Sequence, residues 1–284
     1  MSKVFSQTFL SMAVGTLSLL LLAGVVGPSW AFEIKPGAQV VRGNAGSTIQ
    51  ATFEIVNDKE EPLKATIAIR DSHTIPENKE FSVTQWLTPG TTTLLVPSMG
   101  SLKVPFTIKV PAKAVGELAA LVSFTPIVPE APKPKTVEPG SILTRIVTLV
   151  TVSLYVQVKG TERSQADIDT VKVVNIPGHG DIPSSVQASV LINNTGNIQQ
   201  RPGGRFEIRK KGERVVKMTP EFTEGAVPVF GESERLFTAH QPGTLDAGDY
   251  EVTTTVTFGH GVSTSKKTAF TVDAAGATGS FKEN

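Results

Sequence analysis

Apolar residues in this chain recur at every second position, and no window repeats them convincingly at the helical interval. Ile49, Ala51, Phe53 and Ile55 alternate with Thr48, Gln50, Thr52 and Glu54, the pattern of a strand with one face in a core and the other in water. Further short β-rich runs cover residues 63–70, 91–96, 102–110 and 118–124, divided by Pro97, Pro111 and Gly116. Several short strands at this spacing specify a sandwich or barrel, so the expected fold class is all-β.

The second half repeats the same grammar. Val186, Ala188, Val190 and Ile192 alternate and run into Asn193 and Asn194, as Phe53 and Ile55 run into Asn57, and the repeat spacing matches Asn193 to Asn57. Gly248, Asp249 and Tyr250 open a run as Gly116, Glu117 and Leu118 open another, at nearly the same spacing. A tandem pair of immunoglobulin-like β-sandwich domains follows. Residues 245–250 place a Gly turn before Asp249 and Tyr250, where such sandwiches carry a tyrosine corner whose hydroxyl returns to nearby backbone.

The first 31 residues read as an export signal. Lys3 gives a positive start, residues 10–26 are an apolar run, and Ser29, Trp30 and Ala31 form a small-x-small site, with cleavage expected after Ala31 and an uncleaved membrane anchor as the alternative. The expected organisation is residues 1–31 as signal peptide, 32–160 as the first domain and 161–184 as connector and entry strand. Residues 185–273 are the second domain and 274–284 a disordered tail. Removing Lys3 takes the 27 basic residues to 26 against 26 acidic ones, so the processed chain is neutral. No second apolar stretch is long enough to span a membrane, and the expected location is the periplasm or the extracellular space.

Composition removes several kinds of chemistry. With no cysteine there is no disulfide framework, thiolate metal site or cysteine nucleophile. A net charge of +1 argues against nucleic-acid binding, which needs a clustered basic surface. His73, His179, His240 and His260 are scattered without metal-ligand spacing, and neither a Gly-x-Ser-x-Gly elbow nor a phosphate-cradling loop is present. Asp167 and Asp169 read as solvated linker charges in preference to calcium ligands. The expectation is a protein without enzymatic activity, cofactor or metal. Arg205, Arg209, Lys210, Lys211 and Arg214 flank Gly212 in a hairpin pattern with Phe206 and Ile208 facing inward. That tip is either a solvated turn or, through Arg209, Lys210, Lys211 and Arg214, a contact for anionic cell-wall polymer.

Residues 141–159 are rich in β-branched side chains and read as one long strand. Its even positions form a core face. Its odd positions begin apolar, with Leu143, Arg145, Val147 and Leu149, and turn polar from Thr151 onward. Either neighbouring structure covers that apolar half, or it lies at a sheet edge that offers backbone bonds and side-chain pockets to a partner strand.

Residues 31–160 resemble the N-terminal immunoglobulin-like domain of periplasmic pilus chaperones. The resemblance rests on Ile55-Val56-Asn57 followed by Pro62, on Trp86, Leu87 and Pro89, on 104–111, on Gly116-Glu117-Leu118, on a Pro-rich loop from Pro126 to Pro139, and on the long strand after it. The tandem arrangement is also similar to the extracellular domains of WxL-interacting cell-surface proteins, through Asn193-Asn194-Thr195-Gly196-Asn197, Gly203, Gly204, Phe206, Gly212, Ser233-Glu234-Arg235, Gly248 and Tyr250. The first resemblance implies capping of a pilin-like subunit along the long strand, with a carboxylate clamp made by an Arg on the first strand and a Lys on the long one. Those positions fall near Ala38 and Ser153, which are not basic; Lys35 and Arg145 are the nearest bases. The second implies a C-terminal membrane helix, which this sequence lacks. Both imply an envelope or surface protein as partner.

Overall fold

Alternation becomes architecture in the computed structural model, which describes residues 32–128, 147–223, 225, 227–259 and 262–283, the last four as backbone. The expected signal peptide lies outside these residues. The first half supplies β1 (Glu33–Lys35), β2 (Ala38–Gly43), β3 (Thr48–Asn57), β4 (Leu63–Thr74), a single α-helical turn α1 (Val83–Trp86), β5 (Leu87–Pro89), β6 (Thr93–Val96), β7 (Gly100–Lys109), β8 (Glu117–Pro126) and β9 (Val150–Val158). One sheet has the order β1-β3-β7-β5 and the other β2-β9-β8-β4-β6. After β1 the chain passes Pro36 and Gly37 and changes sheets, so that β2 runs parallel to β9.

In β3 the apolar set faces inward as the pattern requires. Ala51 and Phe53 stand opposite Phe106 and Val104 of β7, all four are buried, and Phe53 meets Phe106 edge to face with centroids 5.6 Å apart. Each fully buried Phe contributes roughly 1.5–3 kcal/mol of hydrophobic stabilisation.

The second half supplies β10 (Ala166–Ile176), β11 (Ser185–Asn194), β12 (Gly203–Lys210), β13 (Val216–Met218), β14 (Glu221–Phe222), β15 (Ser233–Pro242), β16 (Gly248–Thr257), β17 (Ser263–Val272) and β18 (Thr278–Glu283). A β10-β11-β15 sheet packs on a larger one ordered β13-β12-β16-β17-β18, with β14 also on β12. Their shared core contains Val190, Ile192, Phe206, Ile208, Tyr250, Val252 and Phe270. The chain is therefore an all-β pair of immunoglobulin-like sandwiches. Among the described residues no helix is long and apolar enough to cross a membrane.

The tyrosine corner is present: the Tyr250 hydroxyl donates to the Asp246 carbonyl at 3.0 Å, and its ring stacks on Phe270. Burial raises the Tyr250 pKa above its ordinary value. Tyr250→Phe is expected to lower unfolding stability by about 1 kcal/mol, the usual net worth of such a bond, read as a shift in urea midpoint.

Three expectations need correction. Asp167 and Asp169 stand in β10, not in a linker, because residues from Ala166 onward pair with β11. Residues 278–283 are not a disordered tail but a strand, held on β17 by a turn in which Asp273 Oδ1 accepts from the Ala275 and Ala277 amides. The counterpart of Asn57 is Asn194, one residue beyond Asn193. Asn57 Nδ2 donates to Glu61 and Pro97 carbonyls while its Oδ1 accepts from Lys59 N–H. Asn194 makes the same three kinds of bond, to Ile198, Val229 and Gly196.

Candidate partner-binding edge and the sandwich junction

The long strand is shorter than its composition predicts. Ladder pairing in β9 starts at Val150, opposite Phe124 of β8, and Val147 to Leu149 precede it without strand pairing. Residues 141–146, including Leu143 and Arg145, lie outside the described residues. Val147 is 43% and Leu149 53% exposed, so no neighbouring element covers the described part of the predicted apolar face.

Register decides where β9 is open. β2 covers it from Ser153 to Val158, beginning with the Ala38–Ser153 pair, so there β9 is an interior strand. Upstream of Ser153, among the described residues, only β8 pairs with it. The edge thus comprises Val150 to Val152 together with the exposed approach through Val147 and Leu149, immediately beside Ala38.

Ala38 and Ser153, the positions of the implied carboxylate clamp, are direct cross-strand partners. Of the two substitute bases, Lys35 is committed elsewhere. Lys35 belongs to the opposite sheet and pairs with Glu33 at 2.9 Å, which raises the Lys35 pKa. Arg145 is not described. On the same face, four residues further along each strand, Arg42 Nε donates to Gln157 Oε1 at 3.0 Å.

Tyr155 and Gln157, the last odd positions of β9, are buried against the second sandwich. Tyr155 lies 6.2 Å from Phe230, and Phe230 stacks on His73 at 5.0 Å, with His73 Nε2 2.7 Å from the Gly231 carbonyl. Arg163 bridges Glu77 at 3.3 Å and Glu232 at 3.4 Å. Burial, and then the charge of Glu77, raise the Glu232 pKa, whereas the Glu77 backbone amide and then Arg163 lower that of Glu77. Asn197 is buried, accepts from Arg163 N–H at 2.7 Å and donates to the Thr161 carbonyl at 2.9 Å. Beside it Glu117, buried, accepts from Gln157 and Gln199.

The basic hairpin forms as expected, with β12 and β13 antiparallel and Phe206 and Ile208 buried. Glu207 holds Arg209 at 2.6 Å and Arg205 at 3.3 Å, which leaves Lys210, Lys211 and Arg214 as the exposed basic set around the turn. Among the described residues no cluster of three His, Cys, Asp or Glu could hold a metal ion.

Sequence reasoning missed the junction residues Glu117, Gln157, Gln199, His73 and Phe230. One signal was available for Glu117: it is a charge directly after a turn glycine, followed by an unbroken apolar run instead of a polar alternation.

The class defined by these sheets is a tandem pair of immunoglobulin-like sandwiches. No protein-family model matches the sequence, and no curated protein does. Among solved structures, the chain is similar to the class 5 fimbriae chaperone CfaA at 12% identity, covering 84% of this chain and 98% of that one with a TM-score of 0.44. It is also similar to the CupB2 chaperone of Pseudomonas aeruginosa, at 13% identity over 83% of this chain and 98% of that one, TM-score 0.40. A third similar structure is the CsuC–CsuE chaperone–tip adhesion subunit complex of Acinetobacter baumannii, at 10% identity over 84% and 97%, TM-score 0.42.

Proposed function

We propose that this is a non-catalytic exported protein that binds an envelope or surface protein, such as a pilin-like subunit, by adding a partner strand at the open start of β9. The observation that carries this reading is the register: β9 upstream of Ser153 has β8 on one side and no strand on the other among the described residues, with Val147 and Leu149 exposed beside it. Such an edge supplies backbone bonds for affinity and alternate side chains for specificity. Subunit capping is the role the sequence resemblance implies for it, with the basic clamp at Ala38 and Ser153 missing.

Pull-down from an envelope extract tests the reading with wild type and the Val147→Asp, Leu149→Asp double variant. Each lost apolar contact is worth about 1.5–3 kcal/mol, so recovery is expected to fall more than tenfold. Unchanged recovery with a folded variant sinks it. The exposed Lys210, Lys211 and Arg214 favour a second reading, contact with anionic cell-wall polymer. Binding lost on changing those three to Glu, and kept by the edge variant, would assign the function there.

A further inference from the structure

Glu117, only 5% exposed, opens β8 with its carboxyl group enclosed by β9 and by residues 195–201 of the second sandwich. Its Oε2 accepts from Gln157 Nε2 at 3.2 Å and Gln199 Nε2 at 3.3 Å, and the Gln199 backbone N–H adds a third bond. The charged groups facing it are few. Arg201 acts on it weakly from the same loop, and the Arg42 guanidinium is turned to the far side of Gln157. No ion pair with it forms among the described residues. The other titratable groups at the junction, His73, Glu77, Arg163 and Glu232, form the separate set around Phe230 and Gly231. Neutral amides replace a carboxylate's hydration shell incompletely, and burial pushes the Glu117 carboxyl up to about 7.

We infer that Glu117 is a proton-operated latch between the two sandwiches: protonated, it lets residues 195–201 seat on β8 and β9, and ionised, it draws water in and loosens that seat. Two walls of the site are β8 itself and β9, joined by continuous ladder bonds. The 195–201 loop is tied by backbone bonds to Arg163, Gln165, Val229 and Glu232 and reaches Glu117 through the Gln199 side chain, so what yields is its seat on β8 and β9, the loop moving with the second sandwich. The direction follows from linkage. Where Glu117 is protonated both when seated and when released, below pH 4.5, the latch is fully closed. As pH rises the released form ionises first, and closure is lost through about pH 7.

Because the chain has no cysteine, Lys103→Cys and Thr238→Cys give two unique spin-label sites, one exposed position on each sandwich. Double electron–electron resonance should show a narrow distance distribution at about pH 5 that broadens at about pH 8.5. Glu117→Gln in the labelled protein should keep the narrow distribution at both. His73→Gln should retain the wild-type response. Equal widths at both pH values in the protein carrying Glu117 overturn the latch whether or not a variant folds. The same broadening in Glu117→Gln, or its disappearance in His73→Gln, overturns it as well.

Discussion

Asn194→Ala is expected to destabilise the second sandwich by about 3 kcal/mol, seen as a lower urea midpoint with an unchanged m-value. Asn194 is fully buried at the end of β11, and its side chain closes the following loop with bonds of 2.8, 3.0 and 3.0 Å. The three partners do not suffer equally. Gly196 N–H still reaches Gln165 O, and Val229 O still accepts from Gln200 N. Ile198 O loses its donor in a buried site, and an orphaned buried acceptor costs about 1–3 kcal/mol beyond the net loss of the bonds themselves. Asn57→Ala removes the matching bonds in the first sandwich, but its partners Glu61 and Pro97 are exposed and can turn to water, so about half the loss is expected there. Asn194→Asp should do no better than alanine, because two of the three bonds are donated by Nδ2 and a buried charge is added. An Asp variant as stable as wild type would refute this account.

That pair of asparagines also marks how far the sequence was legible. Alternation in 48–55 and 186–192 identified two strands and the repeat between them, because a half-buried strand writes its two faces directly into the chain. The exact partner of Asn57 was misplaced by one residue, since Asn193 and Asn194 are adjacent and only the closed loop distinguishes the inward one. The last strand was unreadable for a different reason. Residues 278–283 contain little that is apolar, and they pair because a five-residue turn at Asp273 returns them to the open side of β17.

The candidate edge was half legible. β-branched residues from 141 onward announced an extended segment, but propensity is silent on where a neighbour strand begins, and the opening at Ser153 is set by the sheet switch at Pro36 and Gly37. Nor could the polar-looking odd face of β9 reveal that a second sandwich covers Tyr155 and Gln157. Outward polar residues read alike whether they meet water or another domain.

Gly116→Ala should cost about 3 kcal/mol or more. Gly116 has φ of +61°, a conformation that costs an L-residue about 1–2 kcal/mol. Its missing Cβ would also stand 2.5 Å from Asn197 Cγ, across the junction. Asn197 cannot retreat: a Cβ on Gly231 would meet its carbonyl carbon at 2.7 Å from the other side, and its amide is tied to Thr161 and Arg163. The methyl therefore parts the sandwiches or shifts β8, which loosens the Glu117 site beside it. Gly160→Ala separates the two contributions, because Gly160 has φ of +79° with nothing within 4 Å of its would-be Cβ. It should lose only the conformational part, about 1 kcal/mol. Thermal unfolding of the two variants side by side measures the difference. Equal losses would mean that Asn197 gives way freely and that the junction is not the tight contact its geometry describes.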